Sequence, residues 1–367
     1  MNLGAVILAA GYSSRMAGGF KPLMRLGEKT LLAHCATLFA RAGITDILVI
    51  TGHRHREVKA EADDLGLYSL VNPDYDSGMF SSIQRAVGRC GHLDGFFLLP
   101  VDIPLIYPAT VRRLIDHFDR NSVIIPVFNG RRGHPPLIPA AFIPAIRNHD
   151  GQGGLRSLLA GVGRTKIAVW DRGILMDGDT PDDFQLLVRR HSGLGVGEPD
   201  EALALAALAM PSRGVAHGRT VAETALRLGQ RLTERGADLD LTLIHNSALL
   251  HDLAKGGPEH EANGARQLER LGLYRLAPIV GAHRALPPPA DGQLSEREIV
   301  CLADKLCRGD RQVTVYQRFG EKLYRYRSDR KARAAIGRRL QQTLALLKMV
   351  QTQLGCTIAE LLDMPRS

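Results

Sequence analysis

A chain of 367 residues with 45% apolar content is too long for one ordinary core and too hydrophobic for disorder, so two domains are expected. No apolar run reaches the roughly 18 to 20 residues that cross a bilayer, which excludes a membrane-embedded chain and points to the cytoplasm. The net charge of +9 is dispersed apart from a cluster at Arg325–Arg339, where Tyr324 and Tyr326 are the only interleaved aromatics, so an anionic small molecule is favoured over nucleic acid as partner.

Along the chain, Ala5–Ala10 lacks a basic leader, runs straight into Gly11 and reads as a buried first strand. Ile47–Thr51, Gly95–Val101 and Val123–Val127 read as further buried strands. Their alternation with amphipathic stretches predicts an α/β domain with a Rossmann-like, mainly parallel sheet over residues 1–190. Residues 191–214 are punctuated by Gly and Pro and read as a linker carrying one Ala/Leu-rich helix, Glu201–Met210. Beyond about Val215 nothing reads as a strand. Helical spacing recurs over 217–235, 241–255, 260–273, 295–308 and 329–363, and predicts an all-α domain over 215–367. The five cysteines form no CxxC pair, as expected of a reducing compartment.

The segment Leu8–Lys21 follows the first strand and precedes a helix starting near Thr30. Its glycines let backbone N–H groups approach phosphate oxygens, and Arg15 and Lys21 add positive charge. It is neither a Walker A loop, since no Gly-Lys-Ser/Thr closes it, nor a GxGxxG fingerprint. The nucleotide-binding candidates are Leu8, Ala9, Ala10, Gly11, Ser13, Ser14, Arg15 and Lys21. Asp102 stands at the carboxyl end of the strand Gly95–Val101, where open α/β sheets bind ligands and a carboxylate can hold Mg²⁺ against a triphosphate. The bland alternative is a turn before Pro104. Asp179 is the better second metal ligand and Asp177 the lesser, with an Asx-turn or helix cap as the alternative for either.

These motifs resemble the molybdenum-cofactor nucleotidyltransferases. The resemblance extends over Asn72–Ile83, Pro100–Pro104, Gly130–Leu137 and Asp177–Asp183, about half the chain. It implies that Gly78, Ser81 and Ser82 lie in a segment closing over the base, and that Gly133, His134 and Pro135 line the acceptor pocket. His134 either contacts the acceptor or packs in its turn. Leu-Ala-Ala-Gly at 8–11 and Gly-His-Pro at 133–135 look like the cytidylyltransferase branch, whereas guanylyltransferases favour Leu-Ala-Gly-Gly. The Ala10 methyl is expected to leave less room near the base and so to favour a pyrimidine. One departure is the spacing from Arg15 to Lys21, a residue longer than that branch usually has. The implied reaction is Mg²⁺-dependent transfer of CMP from CTP to molybdopterin, with Arg15, Lys21 and Asp102 catalytic. A GTP-using enzyme and a sugar or alditol phosphate acceptor are the alternatives. The implied partner is a molybdoenzyme of the xanthine oxidase type.

In the second half, His217 precedes Val221, Ala225, Leu228 and Leu232 on one helical stripe. His260 continues Gly264, Leu268 and Leu271; His283 continues Leu276, Ile279 and Val280; Asp304 falls with Val300, Ala303 and Cys307. Burying these groups and the pair His251-Asp252 without partners would be costly, which points to a shared divalent metal such as Mn or Fe. The pattern, with Leu249–Lys255 and Leu302–Lys305, resembles the HD phosphohydrolase superfamily. The resemblance implies one metal on His217, His251, Asp252 and Asp304, a second near His260 and His283, and Lys255 beside the phosphate. Position 282 is alanine where that family often has a further histidine. A non-catalytic docking module is the alternative reading of this domain.

Overall fold

The apolar run Leu3–Ala9 forms strand β1, buried along its whole length. That is the condition of a strand covered on both faces. The computed structural model describes residues 1–16, 18–283 and 286–362, so Ala17 of the loop Leu8–Lys21 and position 363 of the stretch 329–363 lie outside the described residues. The chain divides into two compact units, Met1–Gly193 and Leu194–Ser367.

In the first unit the sheet continues with β2 (Asp46–Thr51), β3 (Tyr68–Val71), β4 (Gly95–Pro100), β5 (Val123–Phe128), β6 (Arg131–Arg132), β7 (Leu137–Pro139) and β8 (Arg164–Ala168). Seven strands lie in the order β8-β5-β7-β4-β1-β2-β3, with β6 hydrogen-bonded to β5 off this path. β7 runs antiparallel to β4 and β5, β6 runs antiparallel to β5, and the other pairs are parallel. Val6, Leu8, Ile50, Phe96, Leu98, Val123 and Ile125 pack one face with Phe80, Ile83 and Ala86 of the helix Met79–Val87. The other face meets the helix Leu31–Ala42, where the Phe39 and Phe97 rings stand 5.7 Å apart. Thr30 caps that helix by accepting from Ala33 N at 3.0 Å, and Gly43 ends it in the left-handed region at φ 92°. The chain leaves β1 for β2 on one side and returns to β4 on the other. A crevice therefore opens at the carboxyl ends of β1 and β4, where Leu8 pairs with Pro100.

The second unit is helical. The helix Ser212–Glu234 buries His217, Val221, Ala225, Leu228 and Leu232, the stripe read from sequence. Asp240 caps the helix Leu241–Leu250 through Leu243 N at 2.9 Å, and a Ser295/Glu298 capping box starts the helix Glu296–Lys305. The helix Pro199–Ala209, expected within a linker, lies in this unit and buries Ala202, Leu205 and Ala206.

Two expectations need correction. The absence of strands beyond Val215 fails at Cys307–Arg308 and Arg311–Gln312, a short antiparallel pair turned by Gly309 at φ 58°. The stretch 329–363 is two helices, Arg330–Leu354 and Ile358–Leu361, because Gly355 adopts a left-handed conformation and Thr357 caps a new start. A further helix, Val315–Arg325, was not singled out in the sequence.

Candidate active sites

β1 delivers the chain into a loop that turns back on itself. Ser13 adopts φ 58° and its Oγ accepts from Lys21 N at 3.0 Å, which closes the loop. Val101 N donates to Leu8 O at 3.1 Å, so Asp102 stands beside the loop. Gly178 N donates to Asp102 O at 2.9 Å, and that backbone tie brings Asp179 to the same place. Lys21, only 9% exposed, reaches both carboxylates, at 2.9 Å to Asp102 Oδ2 and 2.5 Å to Asp179 Oδ1. Arg15 meets the other oxygen of Asp179 at 2.7 Å.

Burial opposes the Lys21 charge, but Asp179 and Asp102 outweigh it and hold the ammonium above its ordinary pKa. Lys21 in turn lowers Asp179. Burial, then the charges of Asp179 and Asp102, raises Asp177, which makes it the poorer ligand of the three. Two carboxylates converging on one cation form an oxygen donor set of the kind Mg²⁺ takes. Above them lies a cleft of about 340 Å³, walled by residues 8–15, Tyr75, Gly78, Met79 and Ser82. A Cβ on Gly11 would meet no atom within 4 Å, so its side of the cleft is open to a ligand.

The buried Asp171 helps to set Asp179. Its oxygens accept from Tyr107 N, Thr110 Oγ1, Gly173 N and Arg190, all at 2.7 to 2.8 Å. Arg190 belongs to the helix Pro181–Gly193, so this buried pair fixes both ends of the segment carrying Asp177 and Asp179.

The second unit gathers imidazoles instead. His217, His251 and His283 each place Nδ1 on a backbone carbonyl: Gly309 O at 2.9 Å, Ala248 O at 2.7 Å and Val280 O at 2.6 Å. An Nδ1–H donated outward leaves the Nε2 lone pair facing inward, as in metal-ligating histidines. His217 Nε2 lies 3.3 Å from Asp304 Oδ1 and 3.9 Å from Asp252 Oδ2. His251 Nε2 lies 3.4 Å from Asp252 Oδ2, is sealed from solvent and has no hydrogen-bond partner among the described residues. His217, His251 and Asp252 present ligand atoms within 4.8 Å of one another, as do Asp252, His260 and His283. Asp252 is common to both groups.

Burial opposes charge on Asp304, yet Lys305 and the histidines His217 and His251 hold it well below the carboxylate range. Burial, helped by the charge of His251, pulls His283 down to about 4, so it is a neutral donor near pH 7. This buried His/Asp group could hold a metal ion, and its donors fit one.

Residues 5–167 match the MobA-like NTP transferase domain, and residues 214–309 match the HD domain. The chain joins a MobA-like nucleotidyltransferase domain to an HD domain. The transferase half is 29% identical over 189 residues to a molybdenum cofactor cytidylyltransferase of Escherichia coli, covering 51% of this chain and 96% of that relative. It is also 29% identical over 133 residues to the bifunctional protein GlmU of Staphylococcus saprophyticus, covering 36% of this chain and only 29% of that relative's length. Among solved structures, a nucleotidyl transferase from Methanothermobacter aligns over 52% of this chain and 97% of its own, at 24% identity and a TM-score of 0.47.

Within the transferase domain, the predicted residues 8–11, 13–15, 21, 78, 82, 102 and 179 share the cleft. Ser81 does not line it. Its hydroxyl is engaged by Asn72 and the carbonyls of Asp74 and Gly78, holding the turn below. Gly133, His134 and Pro135 also lie off the cleft lining. A Cβ on Gly133 would stand 2.4 Å from Ile174 O, so packing demands that glycine. The Ala10 methyl lies over Gly52, whose own Cβ would stand 2.8 Å from it, and Ala10 also lines the cleft.

Sequence reading missed Tyr12 and Tyr75, whose rings stand 5.4 Å apart in the cleft wall. The Tyr12 hydroxyl donates to Asp76 Oδ1. In the HD domain the six predicted ligands come together, and Lys255 pairs with Asp252 while remaining 62% exposed. Sequence reading missed Arg318, which reaches Asp304 at 3.2 Å.

Proposed function

We propose that the transferase domain moves CMP from CTP to the terminal phosphate of molybdopterin, with release of pyrophosphate, and that the HD domain hydrolyses a phosphate ester. The observation that carries the first half is the meeting of Lys21, Asp102 and Asp179 at the foot of a glycine-walled cleft. In-line attack on the α-phosphorus needs little covalent help from protein; positioning and charge neutralisation suffice. Backbone N–H groups of the loop at 8–15 take the phosphates, and Lys21 and Arg15 face the charge that builds on leaving pyrophosphate. Mg²⁺ held by Asp102 and Asp179 would neutralise the triphosphate further. Tyr12 and Tyr75 offer ring faces for the base.

The choice of CTP and molybdopterin is supported by Leu-Ala-Ala-Gly at 8–11, by Gly-His-Pro at 133–135, and by likeness to a relative named for that activity. The cofactor so formed would serve a molybdoenzyme of the xanthine oxidase type. Pyrophosphate release with CTP against GTP, with and without molybdopterin, tests this reading. Release that needs both CTP and molybdopterin supports it. A preference for GTP, or release driven by a sugar or alditol phosphate instead, would replace it.

For the HD domain, Mn or Fe held by the His/Asp group would activate water for attack on phosphorus. Lys255 stands at its exposed edge to receive the phosphate. Metal analysis of the full chain purified without chelators tests this. A chain free of transition metal would favour the docking module.

A further inference from the structure

The helix Val315–Arg325 lies beyond residues 214–309 that match the HD domain, yet it sends a cation into the metal-ligand cluster. Arg318 reaches Asp304 Oδ1 at 3.2 Å, the oxygen that also faces His217 Nε2 at 3.3 Å, and its side chain is 16% exposed. Its Nε is sealed from solvent and has no hydrogen-bond partner among the described residues. A buried guanidinium N–H without an acceptor costs on the order of 1 to 3 kcal/mol or more, so holding Arg318 there is a penalty that an anionic acceptor would relieve.

The charge around the cluster points the same way. Lys305 Nζ donates to Asp304 Oδ2 at 2.7 Å and to His283 O at 3.1 Å, and Lys255 pairs with Asp252. Lys322 stands one helical turn after Arg318, its ammonium 5.7 Å from the centre of the Phe319 ring. Desolvation, and after it the neighbouring charges of Arg318 and Lys305, pulls that amine down to about 8. Three cationic side chains, Arg318, Lys305 and Lys255, thus pair with two carboxylates before a divalent ion is counted. Such a surplus attracts an anion of more than one charge. A planar guanidinium fork, unlike an ammonium, matches two oxygens of a phosphoryl group at once.

We propose that Arg318 is a substrate-binding residue of the HD centre, gripping the phosphoryl dianion of a phosphate monoester, with Lys322 extending the cationic face along the same helix. The inference rests on the phosphohydrolase reading of this domain and adds to it the charge class of the substrate and a residue outside the matched region.

The test uses the full chain loaded with Mn²⁺ and inorganic phosphate as the probe. Mn²⁺ stoichiometry, phosphate affinity by calorimetry and the thermal midpoint are measured for wild type, Arg318→Gln and Arg318→Lys. The expected result is unchanged Mn²⁺ content in all three, at least a tenfold weaker phosphate affinity in Arg318→Gln, and partial recovery in Arg318→Lys. Equal phosphate affinity in wild type and Arg318→Gln overturns the proposal and leaves the metal centre standing. Loss of Mn²⁺ from Arg318→Gln also overturns it, because Arg318 would then be a brace for Asp304. A wild-type chain that takes up no Mn²⁺ removes the phosphohydrolase reading itself, and this proposal with it.

Discussion

The two centres gather charge in opposite ways. In the transferase cleft much of the wall comes from consecutive residues, 8–15 at the end of β1, with one buried lysine joining two carboxylates. In the HD domain it is made of side chains drawn from separate helices and turns, each imidazole oriented by a carbonyl behind it. Change in the first therefore acts through shape and charge at one point, while change in the second acts through the number of ligands. The same comparison explains why the first site is open and the second buried. A phosphate chain must lie along backbone N–H groups, whereas a transition metal needs imidazoles held away from water.

The comparison breaks first if the acids are not what separates the two sites. Asp102→Ala should lower pyrophosphate release by about a thousandfold while circular dichroism and HD metal content stay as in wild type. Asp252→Ala removes the carboxylate common to both ligand groups, so metal content and phosphatase activity should fall to background with transfer unaffected. Loss of both activities in either variant would show that the centres are coupled.

Shape is probed by Gly11→Val. Because a Cβ there meets no protein atom within 4 Å, the fold should keep its thermal midpoint, and crowding of the cleft should weaken nucleotide binding by roughly tenfold to a hundredfold in a titration. A lower midpoint with unchanged binding would reassign Gly11 to packing.

The smallest effect concerns His134, whose Nδ1 is sealed from solvent with no partner among the described residues. Desolvation holds this imidazole below its ordinary pKa of 6.5. Below that pH the unfolded chain takes up a proton that the folded chain refuses, so stability falls as pH drops from about 7.5 to about 5.5. In urea unfolding, His134→Gln should lose less stability than wild type over that interval. An equal loss would mean that His134 does not titrate in the unfolding step.

Much of this could be read from the sequence, for identifiable reasons. The buried strands were legible because a sheet covered on both faces needs continuous apolar runs, and Leu3–Ala9 is one. The HD ligands were legible because His217 shares the 3.6-residue period of Val221, Ala225, Leu228 and Leu232. What escaped depends on contacts between distant positions. Tyr12 meets Asp76 across 64 residues, and nothing local in either segment announces the pairing. Arg318 sits in a basic, amphipathic helix whose pattern looks like an ordinary solvated face until Asp304 is brought to it. The resemblance implies Ser81 and Ser82 alike for the segment over the base, but a helix turns adjacent residues to different sides, and of the two only Ser82 lines the cleft. The break at Gly355 was missed because Leu354 and Ile358 continue the apolar spacing across it.

The most direct test of two independent centres is pyrophosphate release with CTP and molybdopterin, measured side by side in wild type, Asp102→Ala and Asp252→Ala. The expected result is equal rates for wild type and Asp252→Ala and background release for Asp102→Ala. Near-normal release by Asp102→Ala, or its loss in Asp252→Ala, would contradict the account.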